Sequence, residues 1–228
     1  MKALIDADIV AWRAAGSLKE DDPTDLAFYR TDRIMEDLLH EVGTDEYEAF
    51  LSGSTNFRYD LYPAYKANRD RPRPPSLQPT REYLVTTWNA VVCDGIEADD
   101  ALGKAQEATT IICSIDKDLL QIPGFHYNFV KKEFQTVSLE DSYRNFYKQC
   151  LLGDRSDNVP GFDGMARQKP TKLIQSWFNE LDSMSDPIEM FEFVRERFVD
   201  DNNLLLTGRL LYIQRSDNDM WKFPTDGL

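Results

Sequence analysis

The sequence predicts an α/β fold built on a mostly parallel sheet with helices on both faces, and three observations carry that reading. Short apolar runs recur at 2–5 (KALI), 47–51 (YEAFL), 91–93 (VVC), 109–113 (TTIIC) and 125–130 (FHYNFV). Segments with helical spacing stand between them. Acidic residues gather just past the ends of these runs. Alternating strands and helices are the pattern of a doubly wound sheet, and strands buried on both faces read as short continuous apolar runs.

The first strand, 2–5, runs into Asp6 and Asp8, and a helix is expected from Ile9 to Ala15. A second helix is expected over 25–41, with Leu26, Ile34, Leu38 and Leu39 as its apolar positions. The strand at 47–51 follows. Between Arg58 and Arg81 the composition shifts to YKANRDRPRPPSLQPTR. A packed helix or central strand does not tolerate that many prolines, so this stretch reads as a surface loop or linker or, more sharply, as a basic element that handles phosphates. The strand at 91–93 leads to Gly95 and IEADD, and the strand at 109–113 leads to SIDKD. After Cys150 the pattern becomes helical over 171–181, 187–198 and 203–214, before a terminal MWKFP. Two regions are therefore expected: 1–150, with the basic segment at about 58–85, and a helical region over 151–228.

Cys93, Cys113 and Cys150 form no CxxC pair, which argues for buried reduced thiols rather than a disulfide framework. His40 and His126 have no zinc-like spacing and form no His-based triad. No apolar run approaches the roughly 20 residues that span a bilayer. The opening MKALIDADIV is too soon interrupted by acids to act as a signal peptide. The expectation is an intracellular, cytoplasmic protein without a membrane partner. With 40 acidic against 26 basic residues the net charge is −14. That acidity opposes a nucleic-acid surface, unless the acids converge on cations and the bases gather where phosphates lie.

The acids do follow a pattern. Asp6 and Asp8, then Glu97, Asp99 and Asp100, then Asp116 and Asp118, all follow predicted strands, and Asp154 and Asp157 lie in the later loop GDRSDN. In a parallel sheet the carboxyl ends of the strands share one edge, where ligands bind. Carboxylates ~4 Å apart repel by about 4 kcal/mol at an effective dielectric of ~20, so such a group raises its pKa values or recruits cations. All-oxygen ligands suit Mg²⁺ or Mn²⁺. Two such ions would activate water and stabilise the leaving oxygen of a phosphodiester. Read singly, each Asp is a turn former or helix cap, and Asp99 and Asp100 stand where a helix dipole favours acids. Four groups in one sheet-edge pattern favour the metal reading.

At these residues the sequence resembles the 5′-nuclease superfamily, which includes the 5′→3′ exonuclease domain of bacterial DNA polymerase I, the flap endonucleases and the compact exonucleases of tailed bacteriophages. The matching pieces, in order, are LIDAD (4–8), FRYDLYPAYKANR (57–69), GIEADD (95–100), SIDKDLL (114–120) and GDRSDNVPGFDG (153–164). The resemblance implies a PIN-like catalytic domain, an arch or clamp, and a C-terminal helix–two-turn–helix region. It implies that Asp6, Glu97 and Asp99, with Asp100 alongside, ligate one metal ion, and that Asp116, Asp118, Asp154 and Asp157 surround a second. Lys66 and Arg69 would polarise the scissile phosphate, Tyr65 would stack on a base, and Arg13 would contact the substrate. Arg58, Lys66, Arg69, Arg71, Arg73 and Arg81 would concentrate positive charge in the arch. The implied substrate is DNA with a free 5′ end or 5′ flap, with the RNA of an RNA–DNA hybrid open beside it. The resemblance further implies a monomer working in replication, repair or recombination, in a host's cytoplasm if viral.

Two departures stand out. The family's carboxylate after the strand that precedes the arch is missing from FLSGSTNFR, where Leu51, Ser52 and Gly53 offer none, and Asp8 or Asp60 is left as a substitute. In the segment GFDGMARQKP, Gly161 and Gly164 remain but Ala166 replaces the third glycine of a turn that grips the DNA backbone, often with K⁺. Arg167 and Lys169 would still reach phosphates, and the K⁺ ion is left open. The competing readings are a binding-only relative, silenced by the lost carboxylate, and a PIN-like ribonuclease.

Overall fold

The computed structural model describes residues 1–70 and 72–225, so Arg71 lies outside the described residues. Its six-stranded sheet comprises β1 (Lys2–Asp6), β2 (Tyr47–Ser52), β3 (Val91–Cys93), β4 (Thr110–Cys113), β5 (Gly124–Asn128) and β6 (Glu133–Val137), in the order β3-β2-β1-β4-β5-β6. The β1–β2, β1–β4, β2–β3 and β4–β5 pairs are parallel, and Ile5 pairs with Ala49 on one side and Cys113 on the other. Every residue of β4 is buried, as are Ala3 to Asp6 of β1, which accounts for their unbroken apolar sequences. The chain runs outward from β1 through β2 and β3 on one side and through β4 and β5 on the other. The junction of β1 with β4 is thus the topological switch point, where a crevice opens beyond the strand ends.

Asp6 ends β1 and caps α1 (Ala7–Ala15), its side chain accepting from Ile9 N at 3.1 Å. The buried face of α1 is Ala7, Val10, Ala11, Ala14 and Ala15, small residues that bring the helix close to its neighbours. α2 (Thr24–Val42) and α4 (Leu77–Trp88) pack with α1 in one layer, and α5 (Ala98–Ala105) packs on β1 and β2. The core between them includes Ile5, Met35, Leu38, Leu51, Leu84 and Ile111. Burying each such side chain stabilises the fold by roughly 1.5–3 kcal/mol.

The proline-rich segment is less irregular than its composition predicts. A short helix, α3 (Phe57–Leu61), forms at one end, and α4 forms at the other despite Pro79. Pro79 sits in the first turn of α4, where a backbone N–H has no intrahelical acceptor to lose. α6 (Leu139–Leu152) is also absent from the sequence reading, as is β6. α6 starts at Ser138, whose side chain accepts from Asp141 N at 3.0 Å.

The chain divides into two compact units. The first is Met1–Asn56, Arg71–Leu119 and Gly124–Thr136; the second is Phe57–Asp70, Leu120–Pro123 and Val137–Leu228. This differs from the expected boundary near residue 150, and the basic segment is split between the units. Arg58 explains the assignment of its first part. The residue is 2% exposed, and its guanidinium donates to the carbonyls of Leu210 at 2.9 Å and Tyr212 at 2.7 Å, at the end of α9 (Asp201–Leu211). Tyr65 packs with Val159 and Leu210 in the same unit. α6 packs against α7 (Lys172–Leu181), α8 (Pro187–Arg195) and α9, over a core of Phe146, Tyr147, Phe191, Val194 and Trp221. The MWKFP tail belongs to this core: Trp221 lies on Gly208, where any Cβ would run into the indole ring. Among the described residues no helix is long and apolar enough to cross a membrane.

Candidate functional site

In the first unit the sheet topology brings Asp6 and Asp116 to the switch point. Asp6 is 3% exposed and accepts from Ser114 Oγ at 2.7 Å as well as from Ile9 N. Its carboxyl is pushed up to about 7: burial raises it most, the two hydrogen bonds pull against that, and the charges of Asp8 and Asp116 add to the rise. Ser114 also accepts from Asp116 N at 3.0 Å, so one hydroxyl ties the end of β4 to the end of β1. Asp116 in turn accepts from Asp118 N at 2.9 Å, opening the 3₁₀ helix Lys117–Gln121. The SIDKD motif thus has a local folding role beside any chemical one.

Glu97 caps α5. Its side chain and that of Asp100 accept each other's backbone N–H groups as a capping box, with Glu97 N to Asp100 Oδ2 at 3.1 Å. Asp100 is fully buried, and Asp99 stands partly exposed in the first turn. Arg13 is exposed in the last turn of α1, where the helix dipole favours a cation.

At the end of β2, where the expected carboxylate is missing, Asp8 is the acid that lies alongside. Ser52 N donates to Asp8 Oδ2 at 2.8 Å, and Arg81 both pairs with Asp8 and donates to the Ser52 carbonyl. Ser52 Oγ accepts from Ala98 N at 3.0 Å, joining β2 to the start of α5. Asp60 lies on α3, in the second unit. The donor set is all oxygen and suits a hard divalent cation. Among the described residues, no three carboxylate, imidazole or thiol groups converge as a ready-made metal cage.

In the second unit, YKANR and GDRSDN form one interlocked element. Lys66 takes a left-handed backbone, φ 56, and its N–H donates to the Asp157 carbonyl at 2.8 Å. The Asp157 carboxylate accepts from Tyr65 OH at 3.0 Å, lies 3.4 Å from Lys66 Nζ and pairs with Arg69. Asn68 donates to the Arg155 carbonyl at 2.6 Å, and Asn158 donates to the Ala64 carbonyl at 2.8 Å. Asp154 holds the loop from within, accepting from Ser156 N and Ser156 Oγ, each at 2.6 Å, and from Asp157 N at 3.3 Å. Tyr65 differs from the expectation of a ring open to a base. It is 3% exposed, its ring meets Tyr59 edge-on, and Lys66 Nζ lies 4.9 Å from its centroid.

Gly161 is required where it stands, since a Cβ would meet the Leu151 and Leu152 carbonyls at 2.7 Å, and Gly164 has φ 79. Lys169 is exposed. Arg167 does not extend to solvent as expected of a phosphate contact: its guanidinium is held by both oxygens of Asp163, at 2.6 and 2.5 Å. Sequence reasoning missed the roles of Ser114, Arg81 and Asp163. Ser114 carried a signal as the residue directly after a strand and within a matched motif, and Asp163 carried one as an acid four residues before Arg167.

Comparison with known proteins places this geometry in context. The family model described as the 5′-3′ exonuclease, N-terminal resolvase-like domain, matches residues 2–149. DNA polymerase I of Rhizobium leguminosarum is 30% identical over 169 residues, 65% of this chain and 16% of that protein. DNA polymerase I of Chloroflexus aurantiacus is 29% identical over 220 residues, 82% of this chain and 23% of that protein. The chain therefore spans less than a quarter of these relatives. Among solved structures, the T5 5′-exonuclease with bound zinc superposes with a TM-score of 0.66 at 15% identity, covering 92% of this chain and 88% of that one. A bacteriophage T5 flap endonuclease in a pseudo-enzyme–product complex with DNA and metal ions gives 0.63 at 16%, with the same coverage. At these identities the likeness establishes the fold.

Proposed function

We propose, since the chain belongs to the family of the 5′-3′ exonuclease N-terminal resolvase-like domain, that it is a divalent-metal-dependent 5′-nuclease hydrolysing phosphodiester bonds near the 5′ ends of duplex or flap DNA. The observation that carries this reading is Asp6. A carboxyl buried at a topological switch point, pushed up to about 7 chiefly by that burial with Asp8 and Asp116 adding to it, is a group suited to taking a cation in place of its proton.

Asp6, Glu97 and Asp99, with Asp100 alongside and Asp8 nearby, are the residues that would hold one Mg²⁺ or Mn²⁺ ion; Asp116, Asp118, Asp154 and Asp157 carry the roles that the resemblance gives around a second. When bound, the metal lowers the pKa of an attacking water and neutralises charge on the leaving oxygen. Lys66 and Arg69 hold the phosphate oxygens, exchanging the Asp157 carboxylate for them as charge develops in the transition state. Arg13, Lys169 and the turn at Gly161 and Gly164 contact the DNA backbone. Since the chain carries net charge −14, its binding is weak and falls steeply with salt. The T5 flap endonuclease bound to DNA and metal ions supports extending this chemistry to the present chain. Asp8 beside Ser52 weighs against a binding-only relative, because the end of β2 is not without a carboxylate.

The test is cleavage of a 5′-labelled flap duplex with Mg²⁺, Mn²⁺ or chelator, with an RNA–DNA hybrid in parallel. Metal-dependent products that drop about 100-fold or more in Asp116→Ala and in Lys66→Ala are expected. No product from folded wild-type protein with either ion overturns the reading.

A further inference from the structure

The turn from Gly161 to Arg167 is where the family resemblance implies a K⁺ ion, and its Met165 carbonyl is not open to one. A turn that binds a cation does so with carbonyl lone pairs. The Met165 carbonyl has both of its lone pairs engaged: Gly161 N donates to it at 3.1 Å and Arg167 Nη1 at 3.1 Å. The guanidinium that covers it is held as a fork on Asp163 and lies 5.5 Å from the Phe162 ring centroid. Its side chain is 15% exposed, a cation folded into the turn rather than offered to solvent. Each partner also holds the other in its charged form, with the Asp163 carboxyl below and the Arg167 guanidinium above its ordinary value.

We infer that Arg167 is the built-in cation of this turn: locked by Asp163, it holds the Met165 carbonyl inward, fixes the backbone presented to DNA, and makes the turn independent of a monovalent ion. Arg167 is then a positioning residue and not a phosphate ligand. Gly164, Met165 and Lys169, all exposed, are left as the DNA-facing part of the turn. The DNA-facing part of this inference rests on the proposed nuclease function, whereas the ion independence is a property of the protein alone.

Two measurements test it. The first needs no DNA: thermal melting in KCl and in LiCl at equal ionic strength. Identical melting temperatures are expected, and K⁺-specific stabilisation of wild-type protein overturns the inference. The second is binding of a 5′-flap duplex in chelator as a function of salt. Asp163→Asn distinguishes the two roles by sign. If Arg167 positions the turn, releasing it weakens binding by about 10-fold, the worth of one charge-assisted hydrogen bond. If Arg167 is a phosphate ligand, releasing it and removing a negative charge strengthens binding, and the inference falls. Arg167→Ala is likewise expected to weaken binding without changing the salt slope, whereas loss of a phosphate contact lowers that slope by about 1. Wild-type protein that binds no DNA at any salt defeats the nuclease function and, with it, the positioning role, while the melting comparison still decides the ion independence.

Discussion

Lys66 and Asp157 are joined twice, once through the backbone, Lys66 N to the Asp157 carbonyl at 2.8 Å, and once through the side chains at 3.4 Å. Tyr65 and Arg69 add their own bonds to the same carboxylate. The residues that the resemblance assigns to phosphate and base thus also hold this unit together. Tyr65→Phe, which removes only the hydroxyl, is expected to lower stability by about 1 kcal/mol. Tyr65→Ala, which also removes a buried ring, is expected to cost about 3 kcal/mol or more. Urea denaturation measures both. A solvent-facing base platform would leave stability unchanged in either variant.

Arg58 makes a similar case for α3. Its two hydrogen bonds satisfy carbonyls at the end of α9 that no helical N–H can reach. Arg58→Met keeps much of the volume but leaves those carbonyls buried without these donors, and a loss of about 3 kcal/mol is expected. Unchanged stability would mean that water or a neighbouring group takes over. Arg58→Lys should recover little, since one ammonium cannot reproduce the planar fork.

What was legible in the sequence followed from local pattern. β1 and β4 are readable because both of their faces are buried, and the acids after them are readable because a strand end is a sequence-local event. α6 was missed, although Ser138 and Asp141 stand at cap and third helical position, a signal the sequence does contain. α4 was hidden by Pro79, which is harmless in a first turn. The pairing of Arg81 with Asp8 spans 73 residues, and no local spacing announces it. The fork of Arg167 on Asp163 is only four residues long, but whether such a pair closes on itself or opens to a ligand depends on packing.

The Asp8–Arg81 pair makes its own prediction for the metal. Asp8 is locked by Ser52 N and Arg81 at the end of β2, beside the carboxylates proposed to bind it. Asp8→Asn should raise the Mg²⁺ concentration for half-maximal cleavage by about 10-fold, the usual effect of losing an outer partner. Arg81→Ala should shift it in the same direction by loosening Asp8, with little change in maximal rate at saturating Mg²⁺. A Mg²⁺ requirement equal to that of wild type in both variants would confine the pair to structural support.

The metal-free protein should lose stability as pH rises toward neutrality because of Asp6. The native carboxyl keeps its proton up to about 7, whereas in the unfolded chain it ionises near the ordinary value of 3.8. Between these two values the native state binds more protons than the unfolded one, so stability attributable to Asp6 is greatest below the lower value and declines through the interval. The slope for one group is at most about 1.4 kcal/mol per pH unit. Melting curves in chelator from pH 4.5 to 7.5 should therefore fall more steeply for wild type than for Asp6→Asn, which has no proton to lose. Added Mg²⁺ should flatten the wild-type curve at its neutral end, because the cation replaces the proton as the partner of the buried carboxylate. Parallel curves for wild type and Asp6→Asn would mean that the carboxyl is solvated and already ionised in the folded protein, and the switch-point carboxylate would lose the property on which the metal assignment rests.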